Sequence, residues 1–163
     1  MNYNELEKIM RPGQLSECGF LGHHESLADI LEIDNKTVKK LGISHKIIAD
    51  KLEYLVKAAV KIDRSRSPSL RNSMLIEKHG ILVDGKYLVR IIIYFGDQEC
   101  PWYDGHSSFM DVTIINKKTK QKIFFPELII HLIRKHRFYE GKGTKYRLDP
   151  EKAVRVLDLQ CKT

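Results

Sequence analysis

The chain has 163 residues, of which 42% are hydrophobic and 30% are charged, which is the composition of an ordinary globular domain. No apolar run approaches the roughly 20 residues that a membrane-spanning helix needs, and the segment 1–10 lacks the apolar core of a signal peptide. We therefore expect a cytoplasmic protein that has no membrane partner. The three cysteines are an odd number and accompany no export signal, which predicts reduced thiols rather than a disulfide framework.

The first third of the chain is predicted to be helical. A short first helix ends at Pro12 and Gly13, because proline cannot continue the hydrogen-bond ladder and glycine frees the chain. A further short helix is predicted at 27–33, and Asp34 or Asn35 is predicted to cap another at about 35–41. The clearest helix follows at 45–62, where apolar residues recur at intervals of three and four and charged residues occupy the opposite face.

The middle of the chain is predicted to form strands. Asp84 and Gly85 are typical of a type I′ turn, and they lie between strand patterns at 79–83 and 87–95. Further strands are predicted at 109–115 and 122–125, and a helix is predicted at 126–137. This order predicts an α+β protein in which N-terminal helices precede a four-stranded antiparallel meander with a helix packed on it. We expect a single domain over 1–163, with a helical part at about 1–62, a loop at 63–73 and a sheet part at about 74–163.

The segment most informative about function is the long connection 96–107, between the second and third predicted strands. Long structured loops on a rigid sheet are a common place for functional residues. Its carboxylates and imidazole make Glu99, Asp104 and His106 the candidates for acid–base catalysis. The alternative is a surface loop that covers one end of the sheet and is anchored by Trp102, the only tryptophan of the chain.

Two Cys/His pairs are candidate ligands of a divalent metal cofactor, namely Cys18 with His23 and Cys100 with His106. Zinc accepts two thiolates and two imidazoles in a tetrahedral arrangement. The spacings match no standard zinc finger, and a buried thiol that binds no metal is the common alternative. A nucleophilic Cys100 is less favoured, because the acidic residues around it raise the pKa of a thiol.

The segment Lys117–Arg147 contains ten lysines and arginines and only two glutamates, in a chain whose net charge is +7. Basic side chains interleaved with aromatic ones suit phosphate contacts and base stacking. The candidates for binding an anionic partner are Arg134, Lys135, Lys142, Lys145 and Arg147. The alternative is a solvated face, in which the cations near 134–137 are favoured by the C-terminal end of a helix.

The segment 27–41 resembles a helix-turn-helix motif. Ala28 lies in the first helix, Ile33 at the turn and Thr37 at the start of the second helix, although Glu32 stands where the motif usually has glycine. The resemblance implies that the second helix contacts DNA through its lysines.

These patterns support two functions of different classes. The first is a non-catalytic module that engages an anionic partner, nucleic acid among them, through the basic C-terminal third. The second is a metal-dependent or acid–base enzyme, hydrolase-like, that uses the 96–107 loop. No phosphate-binding glycine loop, nucleophile elbow or His-Glu-x-x-His pattern selects a better-marked enzyme class. The patterns leave open whether there is catalysis, which ligand binds, and whether the chain forms a homo-oligomer or has a protein partner.

Overall fold

The computed structural model describes residues 2–65 and 75–159, except the side chains of residues 75 and 76. The helices in this part of the chain are α1 (Tyr3–Met10), α2 (Leu27–Lys40), α3 (His45–Ser65), α4 (Leu128–His136) and α5 (Pro150–Leu157). The strands are β1 (Ile81–Val83), β2 (Tyr87–Glu99), β3 (Ser107–Asn116) and β4 (Lys122–Pro126), and a π-helical turn, Leu75–His79, precedes β1. Of the predicted loop at 63–73, residues 66 onward lie outside the described residues, as does Cys161. None of the described helices has the length and apolar character that crossing a membrane requires.

The four strands form one antiparallel sheet in the order β1-β2-β3-β4. Asp84 and Gly85 have positive φ angles of 52° and 62°, as a type I′ turn requires, and they bring Val83 opposite Tyr87. The predicted α+β class and the antiparallel meander are therefore confirmed.

Helices α3, α4 and α5 pack on one face of this sheet. Along β2, the side chains of Tyr87, Val89 and Ile91 are at most 3% exposed, whereas the residues between them are half-buried. This alternation follows from strand geometry, in which successive side chains point to opposite faces. The buried residues of β2 share one apolar core with those of α3 and α4.

The predicted break between two short helices near Ile33 is wrong. Residues Leu27–Lys40 form one continuous helix, which begins with Ser26 accepting a hydrogen bond from the backbone N–H of Asp29. No glycine or proline interrupts this segment, and Thr37 donates its hydroxyl to the carbonyl oxygen of Ile33 within the helix. The helix-turn-helix interpretation is overturned, because the motif needs a turn where the chain is helical.

The 96–107 connection is shorter than its sequence predicts. β2 extends to Glu99 and β3 begins at Ser107, so that only residues 100–106 leave the sheet. The extended part of β2 pairs with β3 in a different register, because the pairing shifts between Ile93 and Gln98. Strand pairing therefore places residues 100–106 at the end of two long strands.

Candidate metal centre

Four side chains that can bind a metal converge beside the 100–106 loop. One donor atom from each of Cys100, Asp104, His131 and His136 lies within 4.8 Å of the other three. An oxygen of Asp104, Oδ2, lies 2.8 Å from Nε2 of His131 and 2.8 Å from Nε2 of His136. The Cys100 sulfur lies 3.6 Å from Nε2 of His136. The group thus combines one thiol, one carboxylate and two imidazoles.

The loop half of the group is fixed by the end of the sheet. Cys100 directly follows β2, and its N–H donates to the carbonyl oxygen of His106 at 2.8 Å. Its own carbonyl accepts from the N–H of Tyr103, which closes a tight turn, and Oδ1 of Asp104 accepts from the N–H of His106. These bonds hold the thiol and the carboxylate on the same side of the loop.

The helical half comes from α4, which starts directly after β4. The N–H of Glu127 donates to the carbonyl oxygen of Met110 at 2.8 Å, and the Glu127 carboxylate accepts from the hydroxyl of Ser108 at 2.7 Å. These two contacts tie the start of α4 to β3, so that His131 and His136 face the loop. The side chains of His131 and His136 are 19% and 13% exposed.

The surroundings change the proton affinity of three members of the group. Cys100 is 1% exposed, and this burial raises the pKa of its thiol to about 12. Burial also lowers the pKa of His136, because it penalises the charged imidazolium. Burial by itself would raise the pKa of Asp104, but the hydrogen bonds from His136 and His131 outweigh it and bring that pKa well below its usual range. Asp104 is therefore an anion that accepts a hydrogen bond from each of the two imidazoles.

The donor set fits a single zinc ion. With bonds of about 2.0–2.3 Å, a tetrahedral zinc ion places its ligand atoms roughly 3.3–3.7 Å apart. The distance of 3.6 Å between the sulfur and Nε2 of His136 already lies in this range. The two contacts of Asp104 at 2.8 Å are shorter and the remaining donor pairs lie within 4.8 Å, so that shifts of about an ångström bring the four atoms to these distances. An ion bound there would replace the protons that now lie between Asp104 and the two Nε2 atoms.

Among the residues predicted for this region, Cys100 and Asp104 belong to the group. His106 does not donate to it; its ring is stacked on that of His131 with centroids 4.0 Å apart. Glu99 lines a neighbouring pocket of about 250 Å³ together with Cys100 and His106. The loop thus contributes two of the four donor atoms, and its predicted ligand His106 lies beside the group.

The other predicted pair lies elsewhere. Cys18 lines a cleft of about 320 Å³ whose other walls include Tyr94 and Asp111, and His23 lies with its ring 6.4 Å from that of His24. Within the described ranges, neither Cys18 nor His23 is a member of the four-residue group.

The five candidates for binding an anion divide into two kinds. Arg134 pairs with two carboxylates of α3, Asp50 at 3.1 Å and Glu53 at 2.9 Å. Arg147 pairs with the buried Asp34 at 2.6 Å. The other three candidates, Lys135, Lys142 and Lys145, are exposed, and Arg134 is exposed as well. Both arginines thus already neutralise carboxylates of the same chain.

Two of the four donors, His131 and His136, are not among the site residues that the sequence predicts. The signal that was present is the helical position of His131, on a polar stripe with Glu127 and Lys135 that could line a site. His136 gave no such signal, because it falls on the apolar side of the same helix. The two imidazoles lie near Cys100 only because the 100–106 loop packs beside α4.

No family model, no curated protein and no solved structure matches this chain. The function proposed below is therefore inferred from the geometry of the four donor atoms.

Proposed function

We propose that the protein binds one zinc ion through Cys100, Asp104, His131 and His136, and that the ion fastens the 100–106 loop to α4. The observation that carries the proposal is the convergence of four donor atoms within 4.8 Å of one another. These donors come from two segments that are separated by β3 and β4 in the chain. A metal ion at this point would link the end of the sheet to the last turn of α4.

The choice of zinc follows from the kinds of donor. Calcium and magnesium prefer sites made of oxygen ligands, whereas a thiolate with imidazoles suits zinc and other transition metals. Four donors from the protein complete a tetrahedron, which is characteristic of structural zinc, while catalytic zinc keeps one position for water or substrate. The site therefore favours a structural ion over the metal-dependent enzyme that the sequence suggested as an alternative.

A cysteine nucleophile is less well supported by the same geometry. In a nucleophile–histidine–carboxylate triad, the carboxylate binds one imidazole nitrogen and the nucleophile faces the other. Here Asp104 and the Cys100 sulfur both face Nε2 of His136. Burial also raises the pKa of the Cys100 thiol to about 12, so that the thiol stays protonated without a metal ion to displace the proton.

Binding of a polyanion by the basic C-terminal third stays a prediction, and it has less support than the metal site. Arg134 and Arg147 are engaged in internal ion pairs. The other three candidates are exposed lysines that an external phosphate can reach.

The test is a titration of metal-free protein with Zn(II) in competition with a chromogenic chelator. We expect one zinc ion per chain and a melting temperature that rises with zinc, because a ligand that binds only the folded state stabilises it. Co(II) in place of zinc should give the visible absorption of a tetrahedral cobalt–thiolate site. Cys100→Ser should remove the thiolate band, and the double variant His131→Ala/His136→Ala should abolish stoichiometric binding.

The matched control is the double variant Cys18→Ser/His23→Ala, which removes a thiol and an imidazole that lie outside the group. It should bind one zinc ion with unchanged affinity. The proposal is overturned if the parent protein binds no stoichiometric zinc, or if the control loses zinc while the variants of the four-residue group retain it. Circular dichroism of each metal-free variant shows whether a loss of binding reflects a loss of fold.

A further inference from the structure

Each imidazole of the proposed metal site is covered by an aromatic ring from the 100–106 loop. The indole of Trp102 lies on the ring of His136, with centroids 4.0 Å apart and planes 4° from parallel. The ring of His106 lies on that of His131, again with centroids 4.0 Å apart and planes 7° from parallel. Both histidines of α4 are thus stacked face to face by the loop that carries the other two donors.

Donors and covering rings alternate along this loop. Cys100 and Asp104 supply donor atoms, while Trp102 and His106 supply the stacked rings. Every second residue from 100 to 106 therefore contacts the site, either as a donor or as a cover. This regularity argues that the rings and the donors form one arrangement, since a loop packed only for burial needs no such alternation.

The stacking limits the rotation of the two imidazoles, and this rotation affects the metal affinity. An imidazole can rotate about its Cβ–Cγ bond, and the rotation moves Nε2 away from the common point of the four donors. Trp102 opposes this rotation of His136 because it is itself anchored, edge-on, against Phe138 with centroids 5.5 Å apart. Phe138 is fully buried, so the orientation of His136 is tied to the core.

We infer that Trp102 and His106 are positioning residues of the metal site, which set its affinity by holding Nε2 of His136 and His131 toward Cys100 and Asp104. This inference rests on the proposed function. Groups that orient metal ligands without binding the ion typically contribute a factor of about 10–100 in metal affinity. We expect Trp102 to contribute more to the zinc affinity than His106, because the ring of Trp102 packs against the core whereas His106 is exposed.

The experiment measures the zinc dissociation constant of the parent protein and of alanine and phenylalanine variants at both positions. We expect Trp102→Ala and His106→Ala to weaken zinc binding by about 10–100-fold. Trp102→Phe and His106→Phe retain a flat ring and should recover most of the affinity. The matched control is Tyr103→Ala, which removes an exposed ring of the same loop (54% exposed) and should leave the dissociation constant unchanged.

A second readout comes from Trp102, the only tryptophan of the chain. Zinc bound to the stacked imidazole of His136 should change the tryptophan emission of the parent protein, and the change should disappear in His136→Ala. A purely structural role for Trp102 would lower the melting temperature of the metal-free protein without changing the dissociation constant.

Three results would overturn the inference. Zinc affinities of both alanine variants within about twofold of the parent would show that the rings do not position the ligands. An equal loss in His106→Ala and His106→Phe would make His106 a ligand instead. Zinc binding without any change in tryptophan emission would place the ion away from His136. A parent protein that binds no zinc is a different result, because it removes the proposed function itself.

Discussion

Arg147 and Asp34 form a two-bond ion pair in the interior of the protein. Nη1 of Arg147 donates to Oδ2 of Asp34 at 3.0 Å, and Nη2 donates to Oδ1 at 2.6 Å. Asp34 lies in the middle of α2 and its side chain is 2% exposed. Arg147 comes from the irregular segment before α5, so this pair connects that segment to the N-terminal helices.

The first prediction is that Arg147→Met destabilises the protein by about 3–5 kcal/mol, because removal of one partner leaves a buried charge unpaired. The measurement is the free energy of unfolding in urea. Lys145→Met is the matched control, since Lys145 is exposed two residues away and should change stability by less than about 0.5 kcal/mol.

The double variant Asp34→Ala/Arg147→Met should cost less than the sum of the two single changes, because it leaves neither charge alone. A cost for Arg147→Met as small as that for Lys145→Met would show that the ion pair contributes nothing. Arg147 would then be available to bind an external anion, as the sequence predicts.

The second prediction concerns Glu140, a fully buried carboxyl group. Its Oε2 accepts a hydrogen bond from the Thr144 hydroxyl at 3.0 Å, while Oε1 has no partner among the residues that the structure describes. Burial raises the pKa of Glu140 to about 8. Between its ordinary value of 4.5 and about 8, the folded protein holds a proton that the unfolded chain has released. The contribution of Glu140 to stability therefore falls as the pH rises through this range.

Glu140→Gln should remove this dependence, because the amide keeps the acceptor for Thr144 and does not ionise. We expect the variant to be more stable than the parent at pH 7, by about 3 kcal/mol, and to approach the parent near pH 4.5. Urea unfolding at several pH values between 4.5 and 8 measures the difference. Glu17→Gln, at an exposed position, is the control and should change stability by less than about 0.5 kcal/mol. A constant difference for Glu140→Gln would mean that Glu140 is ionised in the folded protein.

The sequence predicted the parts of the fold that depend on neighbouring residues. Asp84 and Gly85 determine the β1–β2 turn by their own backbone preferences, and Asp149, with Pro150 after it, is a typical helix cap that caps α5. Asp34 and Asn35 show the opposite case. Their preference for helix starts predicted a break in α2, but Asp34 instead binds Arg147 from a distant part of the chain.

Two of the four residues of the proposed metal site lie in a segment that the sequence pattern indicates by itself. Cys100 and Asp104 are four residues apart in a loop whose composition already indicated a site. His131 and His136 became partners of this loop only because strand pairing places residues 100–106 beside α4. His136 also lies on the apolar side of α4, where a histidine is commonly part of the core. No single-sequence pattern contains that long-range contact.

The last prediction concerns Gly19, where the chain passes against the end of α1. Its φ is +69°, and a Cβ built there would lie 2.5 Å from the backbone nitrogen of Pro12 and 2.9 Å from the carbonyl oxygen of Met10. The N–H groups of Phe20 and Leu21 both donate to that same carbonyl of Met10. A side chain at position 19 must therefore displace backbone atoms that are held by hydrogen bonds.

Gly13 provides the matched control, because its φ is +81° and a Cβ there would meet no atom within 4 Å. Gly13→Ala should cost only the backbone penalty of about 1–2 kcal/mol for a left-handed residue. Gly19→Ala should add about 1–3 kcal/mol of overpacking, which urea unfolding of the two variants measures directly. Equal losses of unfolding free energy in the two variants would contradict this prediction. They would mean that the 13–19 loop can move away from α1 to make room for the methyl group added at position 19.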